Sequence, residues 1–171
     1  VVAGGAKSLD PALMRRFDRR IYVDLPNRNE RVEYMSLKLK SNSAFNISDE
    51  LLENLAIRST VMSLADLESI FELALRMVIR SQKTKVTDDV LEEAFETFTN
   101  GEKKHWNHDT LLRVARHEAG HALICYESGE TPSYITVVPR GDHGGYMQHN
   151  TDEGKHIFTK KELLTKIRTA L

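Results

Sequence analysis

The sequence predicts a mainly α-helical fold, in which a four-helix bundle precedes a longer helix and a small β-hairpin. Apolar residues recur at helical spacing in four successive segments between residues 27 and 99. A glycine within the polar stretch 100–104 separates these segments from the next helical pattern. After Pro132 the pattern changes to β-branched and aromatic residues, which favour strands.

The four segments of the predicted bundle each carry an apolar stripe, and three of them follow a residue suited to capping. The first segment runs from about residue 28 to residue 40. Ser48, Ser63 and Thr87 precede the other three, and their hydroxyl oxygens are able to accept the free N–H groups of a first helical turn. The apolar stripes are long enough to enclose one shared core.

The second part of the chain is predicted to hold one long helix and two strands. The helix is expected from about residue 110 to 128, with Asp109 as its cap and Gly129 as its stop. Residues 134–138 are predicted to form a strand, and 145–149 to return beside it after a turn.

The last segment has a helix start without a helix stop. Thr159 and Glu162 have the spacing of a capping box, and the helical pattern then continues to Leu171. We therefore expect the chain to be a piece of a longer protein, and any site built from distant segments to be incomplete here.

Composition excludes several classes of protein. The 171 residues include 24 basic and 25 acidic side chains, a balance that gives no case for a nucleic-acid partner. Hydrophobic residues make up 40% of the chain, which argues against disorder. One cysteine excludes an internal disulfide. No apolar run reaches the length of a membrane span, so a soluble chain is expected.

The motif most informative about function is HEAGH at residues 117–121. His117 and His121 are four residues apart, which places both imidazoles on one helix face and allows them to bind the same metal ion. Glu118 lies about 100° around the helix, close enough to reach a water bound to that metal and take its proton. The spacing therefore predicts a zinc site that hydrolyses peptide bonds.

A catalytic zinc needs a third protein ligand. Several residues of the chain could approach a metal, and each is expected instead to be a turn or surface residue: Asp142, His143, His149, Asp152 and Glu153. Cys125 is expected in the core. Residues 144–147 form either an edge strand that binds extended substrate or an ordinary hairpin strand.

Five segments together resemble the FtsH-type ATP-dependent metalloproteases. HEAGH is similar to the zinc motif of this family, and VVPRG at 137–141 to the strand that follows it. LDPALMRRFDR at 9–19 resembles the end of an AAA+ ATPase core, VDLP at 23–26 its exit, and SLADL at 63–67 the third helix of its lid. The order and spacing hold across nearly the whole chain.

The resemblance implies three parts. Residues 1–26 would be the C-terminal edge of an AAA+ nucleotide-binding core, 27–101 its helical lid, and 102–171 the N-terminal part of a zinc metallopeptidase domain. It also implies a homo-hexamer using zinc, ATP and magnesium. A segment absent here would anchor the hexamer in the membrane. The ATPase and protease domains would then lie on the cytoplasmic side, or on the matrix or stroma side of an organelle. The third zinc ligand would be an aspartate after Leu171.

The resemblance also implies that Arg15 and Arg16 reach the nucleotide of a neighbouring subunit. A guanidinium suits this role because it stays charged and pairs with phosphate oxygens in a fork. The alternative is that both arginines belong to a solvated basic face. The family has proline and glycine between its two arginines and an asparagine where this chain has Gly4.

Two functions therefore follow from the sequence. The first is an ATP-dependent zinc metalloendopeptidase that degrades unfolded or membrane polypeptides, with Glu118 activating the attacking water. The second is a proteolytically inactive or ATP-uncoupled relative that serves as an assembly or holding module. The intact HEAGH motif favours the first, whereas Gly4 and the adjacent Arg15 and Arg16 favour the second.

Overall fold

The computed structural model describes residues 16, 19, 21, 23–150 and 157–170. The described part of the chain is mainly helical with one antiparallel hairpin, which confirms the predicted fold class. Its elements are α1 (Arg28–Ser41), α2 (Asp49–Arg58), α3 (Leu64–Arg80), α4 (Asp88–Asn100), α5 (His108–Glu127), β1 (Pro132–Thr136), β2 (Tyr146–His149) and α6 (Lys160–Ala170).

The first three helices begin at side-chain caps. Asn27 Oδ1 accepts the Glu30 N–H at 3.1 Å, and the Glu30 carboxylate accepts the Asn27 N–H at 2.8 Å, which completes a capping box at α1. Ser48 and Ser63 each accept a backbone N–H at the start of α2 and α3, as predicted.

The fourth helix begins differently from the prediction. Thr87 occupies the N-cap position of α4, but within the described residues its side chain makes no capping hydrogen bond. Asp88 instead accepts the Ser48 N–H at 2.9 Å and the Ser48 hydroxyl at 2.6 Å. The charged carboxylate therefore links the starts of α2 and α4.

The four helices α1–α4 enclose one core. Their apolar stripes face one another and bury large side chains almost completely, as expected for a bundle held by hydrophobic packing. Val86, in the loop before α4, is fully buried and pairs with the loop after α1. The largest core side chains are Met35, Leu55, Leu67, Ile70, Phe71, Leu91 and Phe95.

The hairpin pairs β1 with β2 in antiparallel register, with Ile135 opposite Met147 and Thr136 opposite Tyr146. The predicted first strand, 134–138, was wrong at both ends, because β1 starts at Pro132 and ends at Thr136. Val138 N–H donates to Thr136 Oγ1 at 3.1 Å, so the chain turns after Thr136 instead of continuing the ladder.

A buried charged cluster joins the hairpin to the bundle. Arg58 of α2 forms salt bridges with Glu92 at 2.7 Å and with Glu96, both on α4. Its guanidinium lies 3.5 Å from the ring centre of Tyr134 on β1. Tyr146 of β2 donates its hydroxyl proton to Glu96 at 2.7 Å. Both strands are thereby fixed against α2 and α4.

Helix α5 packs against both strands and against α6. Its predicted cap, Asp109, was wrong: Asn107 is the N-cap and accepts the Thr110 N–H at 2.8 Å, which leaves Asp109 in the first turn. The predicted stop is confirmed, since Gly129 follows the helix with φ +84°. Thr159 and Glu162 form the predicted capping box of α6. Within the described ranges, every helix is too short or too polar to span a lipid bilayer.

Candidate metal centre

The two histidines of HEAGH meet on one face of α5. Their Nε2 atoms lie 2.9 Å apart, and the two rings are nearly perpendicular with centroids 4.4 Å apart. His117 is exposed and His121 is half-buried. The helical i, i+4 spacing thus brings two imidazole nitrogens to a single point at the protein surface.

Helix α6 orients one of these rings. The Nδ1 atom of His121 is within hydrogen-bonding distance of the carbonyl oxygen of Thr169. A carbonyl oxygen can only accept, so Nδ1 carries the proton and the lone pair of Nε2 faces His117. Metal-ligating histidines typically have this kind of outer partner, which fixes both the tautomer and the ring orientation.

The donor pair fits zinc. Zinc binds imidazole nitrogens at about 2.0–2.1 Å, so two such ligands of a tetrahedral ion lie about 3.3 Å apart. The observed 2.9 Å between the Nε2 atoms of His117 and His121 differs from this by a few tenths of an ångström. The two imidazole nitrogens are therefore spaced suitably for a shared zinc ion.

Glu118, the residue after His117 on α5, is the carboxylate of the HEAGH motif. Its side chain is only 7% exposed, whereas the preceding His117 is exposed to solvent. Burial of a carboxylate is costly unless a charge or hydrogen bond compensates it, and a bound cation next to it would do so.

The other predicted ligand candidates fall into three groups. Asp142 and His143 are exposed in the turn between the strands, as expected. Asp152 and Glu153 lie outside the described residues. His149 differs from the expected surface residue: it is half-buried on β2, and its Nδ1 lies 3.8 Å from the sulfur of Cys125.

The residues that the resemblance relates to nucleotide binding lie near the start of the chain. Gly4 and Arg15 lie outside the described residues. Arg16 is exposed in a turn, a position compatible both with a neighbouring subunit's nucleotide and with a solvated face.

Two features of the site were missed by sequence reasoning. The Thr169 carbonyl is a backbone group, so no residue type signals its role. The grouping of Cys125 and His149 depends on how the hairpin folds back onto α5. The only sign of this grouping in the sequence was that cysteine and histidine are both metal-binding residue types and that both residues follow the HEAGH motif.

Comparisons with known proteins agree with this geometry. Residues 104–171 match the model of peptidase family M41. The chain is 38% identical over 167 residues to the ATP-dependent zinc metalloprotease FtsH of Mesomycoplasma conjunctivae, a match that covers 93% of the chain and 22% of that protein. It is 35% identical over 170 residues to the protein of the same name from Aquifex aeolicus, which covers 95% of the chain and 26% of that protein.

The chain spans about a quarter of the length of these curated relatives. The matches include both the helical bundle and the HEAGH helix, because they extend over nearly all of the chain. The resemblance seen in the sequence is therefore confirmed: residues 104–171 match peptidase family M41, and nearly all of the chain is similar to a part of the FtsH proteins.

Proposed function

We propose that the chain is part of an ATP-dependent zinc metalloendopeptidase. In this proposal residues 1–26 close an AAA+ nucleotide-binding core, 27–101 form its helical lid, and 102–171 begin the peptidase domain. The sequence of elements supports the division, since a bundle with its own core precedes the helix that carries HEAGH. The match of residues 104–171 to peptidase family M41 begins close to the last boundary.

The observation that carries the proposal is the convergence of the His117 and His121 Nε2 atoms, with His121 held by the Thr169 carbonyl. The two histidines bind zinc, and an aspartate C-terminal to Leu171 is the third ligand that the resemblance implies. Zinc, when bound, polarises the scissile carbonyl and increases the acidity of water.

Glu118 acts as the general base. It accepts a proton from the attacking water and later delivers it to the leaving amine, the usual division of labour for a carboxylate beside a metal. Glu118 is only 7% exposed on α5, so it is largely shielded from bulk solvent. The histidines hold the reacting centre, and the glutamate moves the proton.

The substrates in this proposal are unfolded or membrane polypeptides, threaded into the peptidase by a homo-hexamer that uses ATP and magnesium. Arg15 and Arg16 would reach the nucleotide of the neighbouring subunit. A segment outside this chain would anchor the hexamer in a membrane, with both domains on the cytoplasmic, matrix or stromal side. The names of the relatives, which include both ATP dependence and zinc, support the use of ATP and zinc in this proposal.

The proposal is tested by His121→Gln in the complete protein. We expect the variant to lose bound zinc and casein hydrolysis in the presence of ATP, because glutamine cannot replace the Nε2 ligand. His143→Gln is the matched control, since His143 is exposed in the turn between the strands; it should keep both properties.

Full hydrolysis by His121→Gln would contradict the zinc assignment. If the unaltered protein binds zinc and forms hexamers but does not hydrolyse casein, the assembly or holding module is the correct alternative.

A further inference from the structure

A second group of metal-binding side chains lies near the C-terminal end of α5. Cys125 Sγ, a Glu130 carboxylate oxygen and a His149 ring nitrogen all lie within 4.8 Å of one another. The Cys125 sulfur is 3.8 Å from His149 Nδ1, and the same Nδ1 atom is 3.4 Å from Glu130 Oε2. Three donors of different chemistry therefore face one point.

The end of α5 places two of these donors. Gly129 adopts φ +84°, its N–H donates to the Tyr126 carbonyl at 2.9 Å, and the Glu130 N–H donates to the Cys125 carbonyl at 3.1 Å. These are the two hydrogen bonds of a Schellman motif. The motif turns the chain back, so the backbone of Glu130 is bonded to that of Cys125 and the Glu130 carboxylate is within reach of the thiol.

The hairpin places the third donor. Pro132, at the start of β1, pairs with His149 at the end of β2. The Ser133 hydroxyl also lies 3.2 Å from the His149 carbonyl oxygen and 3.1 Å from that of Gln148. Because β1 follows directly after the Schellman turn, this register brings the His149 ring to Cys125.

We propose that Cys125, Glu130 and His149 bind a zinc ion at a site separate from His117 and His121. Zinc binds sulfur at about 2.3 Å and imidazole nitrogen or carboxylate oxygen at about 2.0–2.2 Å. A tetrahedral ion therefore sets its sulfur and nitrogen ligands about 3.6 Å apart, and its nitrogen and oxygen ligands about 3.3–3.4 Å apart. The observed separations of 3.8 and 3.4 Å match these values closely.

The surroundings also suit an ion that enters from solvent. The Cys125 side chain is fully buried, whereas the side chains of His149 and Glu130 are 33% and 39% exposed. The ion approaches past the two exposed ligands, the thiol loses its proton to solvent as the sulfur–zinc bond forms, and water completes the coordination. A thiolate, an imidazole and a carboxylate are each ligands that zinc accepts in proteins.

A cysteine beside a histidine could alternatively be a catalytic nucleophile, but the geometry argues against this role. In a nucleophilic triad the acid orients the histidine through the ring nitrogen opposite the nucleophile. Here Cys125 and Glu130 both face His149 Nδ1. Burial, and then the Glu130 charge, raise the pKa of the Cys125 thiol, whereas nucleophilic cysteines have a lowered pKa.

The test is a Co²⁺ titration of the 171-residue chain, followed by absorbance. Cys125 is the only cysteine in the sequence, so any thiolate-to-cobalt charge-transfer band must come from it. We expect this band to saturate at about one equivalent of cobalt and to disappear when Zn²⁺ displaces the cobalt, since zinc binds such sites more tightly than cobalt does. The absence of a band in the unaltered chain would overturn the proposal without any variant.

Variants then identify the ligands. Cys125→Ser and Cys125→Ala should both abolish the band, and His149→Gln or Glu130→Gln should weaken cobalt binding by at least about 10-fold. Glu127→Gln and His143→Gln are matched controls, because both side chains are exposed outside the three-residue group. Circular dichroism checks that each variant retains its helices.

A double His117→Gln, His121→Gln variant separates this proposal from the proposed protease function. The band should persist in this variant, even though the predicted catalytic site is destroyed. Loss of the band there would show that Cys125 serves the histidine pair instead, and it would overturn the separate site. Unchanged cobalt affinity in both His149→Gln and Glu130→Gln would also overturn it.

Discussion

Arg140 Nη2, in the loop after β1, lies 2.8 Å from Glu93 Oε2 on α4. The Arg140 side chain is almost fully buried, and its Nη1 also donates to Thr97 Oγ1 at 3.2 Å and to the Gly101 carbonyl at 3.1 Å. The Arg140 guanidinium therefore links the loop after β1 to the C-terminal part of α4. Because α5 packs on the same hairpin, the bundle contributes to the position of the HEAGH helix.

Removal of one charge from the buried cluster should strongly destabilise the chain. Glu96 is 3% exposed and accepts hydrogen bonds from Arg58 and Tyr146. We expect Glu96→Gln to lower the free energy of unfolding by about 1.5–3 kcal/mol, since it removes one of the two counter-charges of a buried guanidinium and Glu92 remains as the other. Urea denaturation of the chain measures this loss.

The matched control for that experiment is Glu72→Gln. Glu72 forms an exposed i, i+4 pair with Arg76 at 3.5 Å, and such pairs contribute less than about 0.5 kcal/mol. Equal losses in the two variants would show that the buried cluster has no special role.

Stability should fall in acid partly because of Glu93. Burial alone would raise the pKa of this carboxyl group, but the hydrogen bonds and charges of Lys103 and Arg140 outweigh burial and hold the pKa below its usual 4.5. A pKa that folding lowers contributes stability above about pH 4.5 and loses it as the pH falls through the folded-state value. We therefore expect Glu93→Gln to show a shallower loss of stability in acid than the unaltered chain, as measured by urea midpoints across a pH series. If the urea midpoints of the two proteins fall equally steeply with decreasing pH, this expectation is refuted.

Gly141→Ala should destabilise the loop that carries Arg140. Gly141 has φ +45°, and a Cβ there would lie 2.6 Å from the Asn100 carbonyl oxygen. The left-handed conformation costs a non-glycine residue about 1–2 kcal/mol, and the collision adds to it. Gly129→Ala is the control, because Gly129 has φ +84° but open space around it. Thermal unfolding should show a larger fall in Tm for Gly141→Ala; an equal fall would mean that the loop moves to relieve the contact.

Residues 27–101 should remain helical when produced alone. The helices α1–α4 share one core, and three of them have side-chain caps that lie within the segment. We expect a mainly helical circular dichroism spectrum but a lower Tm than in the whole chain, because Arg140 and Tyr146 no longer contact α4. A mainly coil spectrum would be evidence against both the boundary and the proposed lid.

Local patterns predicted most of the fold, and the errors have two different causes. Asn107 and Asp109 are both short side chains that cap helices well, so the sequence alone could not decide between them. Residues 137 and 138 are both valine, a strand-forming residue, but the Val138 N–H donates to Thr136 Oγ1 at 3.1 Å and the Lys104 N–H to the Pro139 carbonyl at 2.8 Å, so both valines lie outside β1. Such contacts between distant segments override propensity.

In the candidate site, too, the contacts within one helix were predictable from the sequence and the contacts between distant segments were not. His117 and His121 lie on one helix, so helical spacing alone brings them together. The contact between His121 and the Thr169 carbonyl joins residues 48 apart in sequence, and the approach of His149 to Cys125 requires the register of the hairpin. Charged residues such as Arg58 and Glu96 are usually found on solvated helix faces, so their burial could not be predicted from spacing.

We propose that Glu118 is the proton acceptor beside a zinc held by His117 and His121. Zinc content and casein hydrolysis, measured together on Glu118→Gln of the complete protein, test this role. Glutamine preserves the shape of the side chain but does not accept the proton of water, and Glu118 is not a ligand in this account. We predict a full complement of zinc with hydrolysis abolished. Normal hydrolysis would show that another residue is the base, and loss of zinc would show that Glu118 binds the metal.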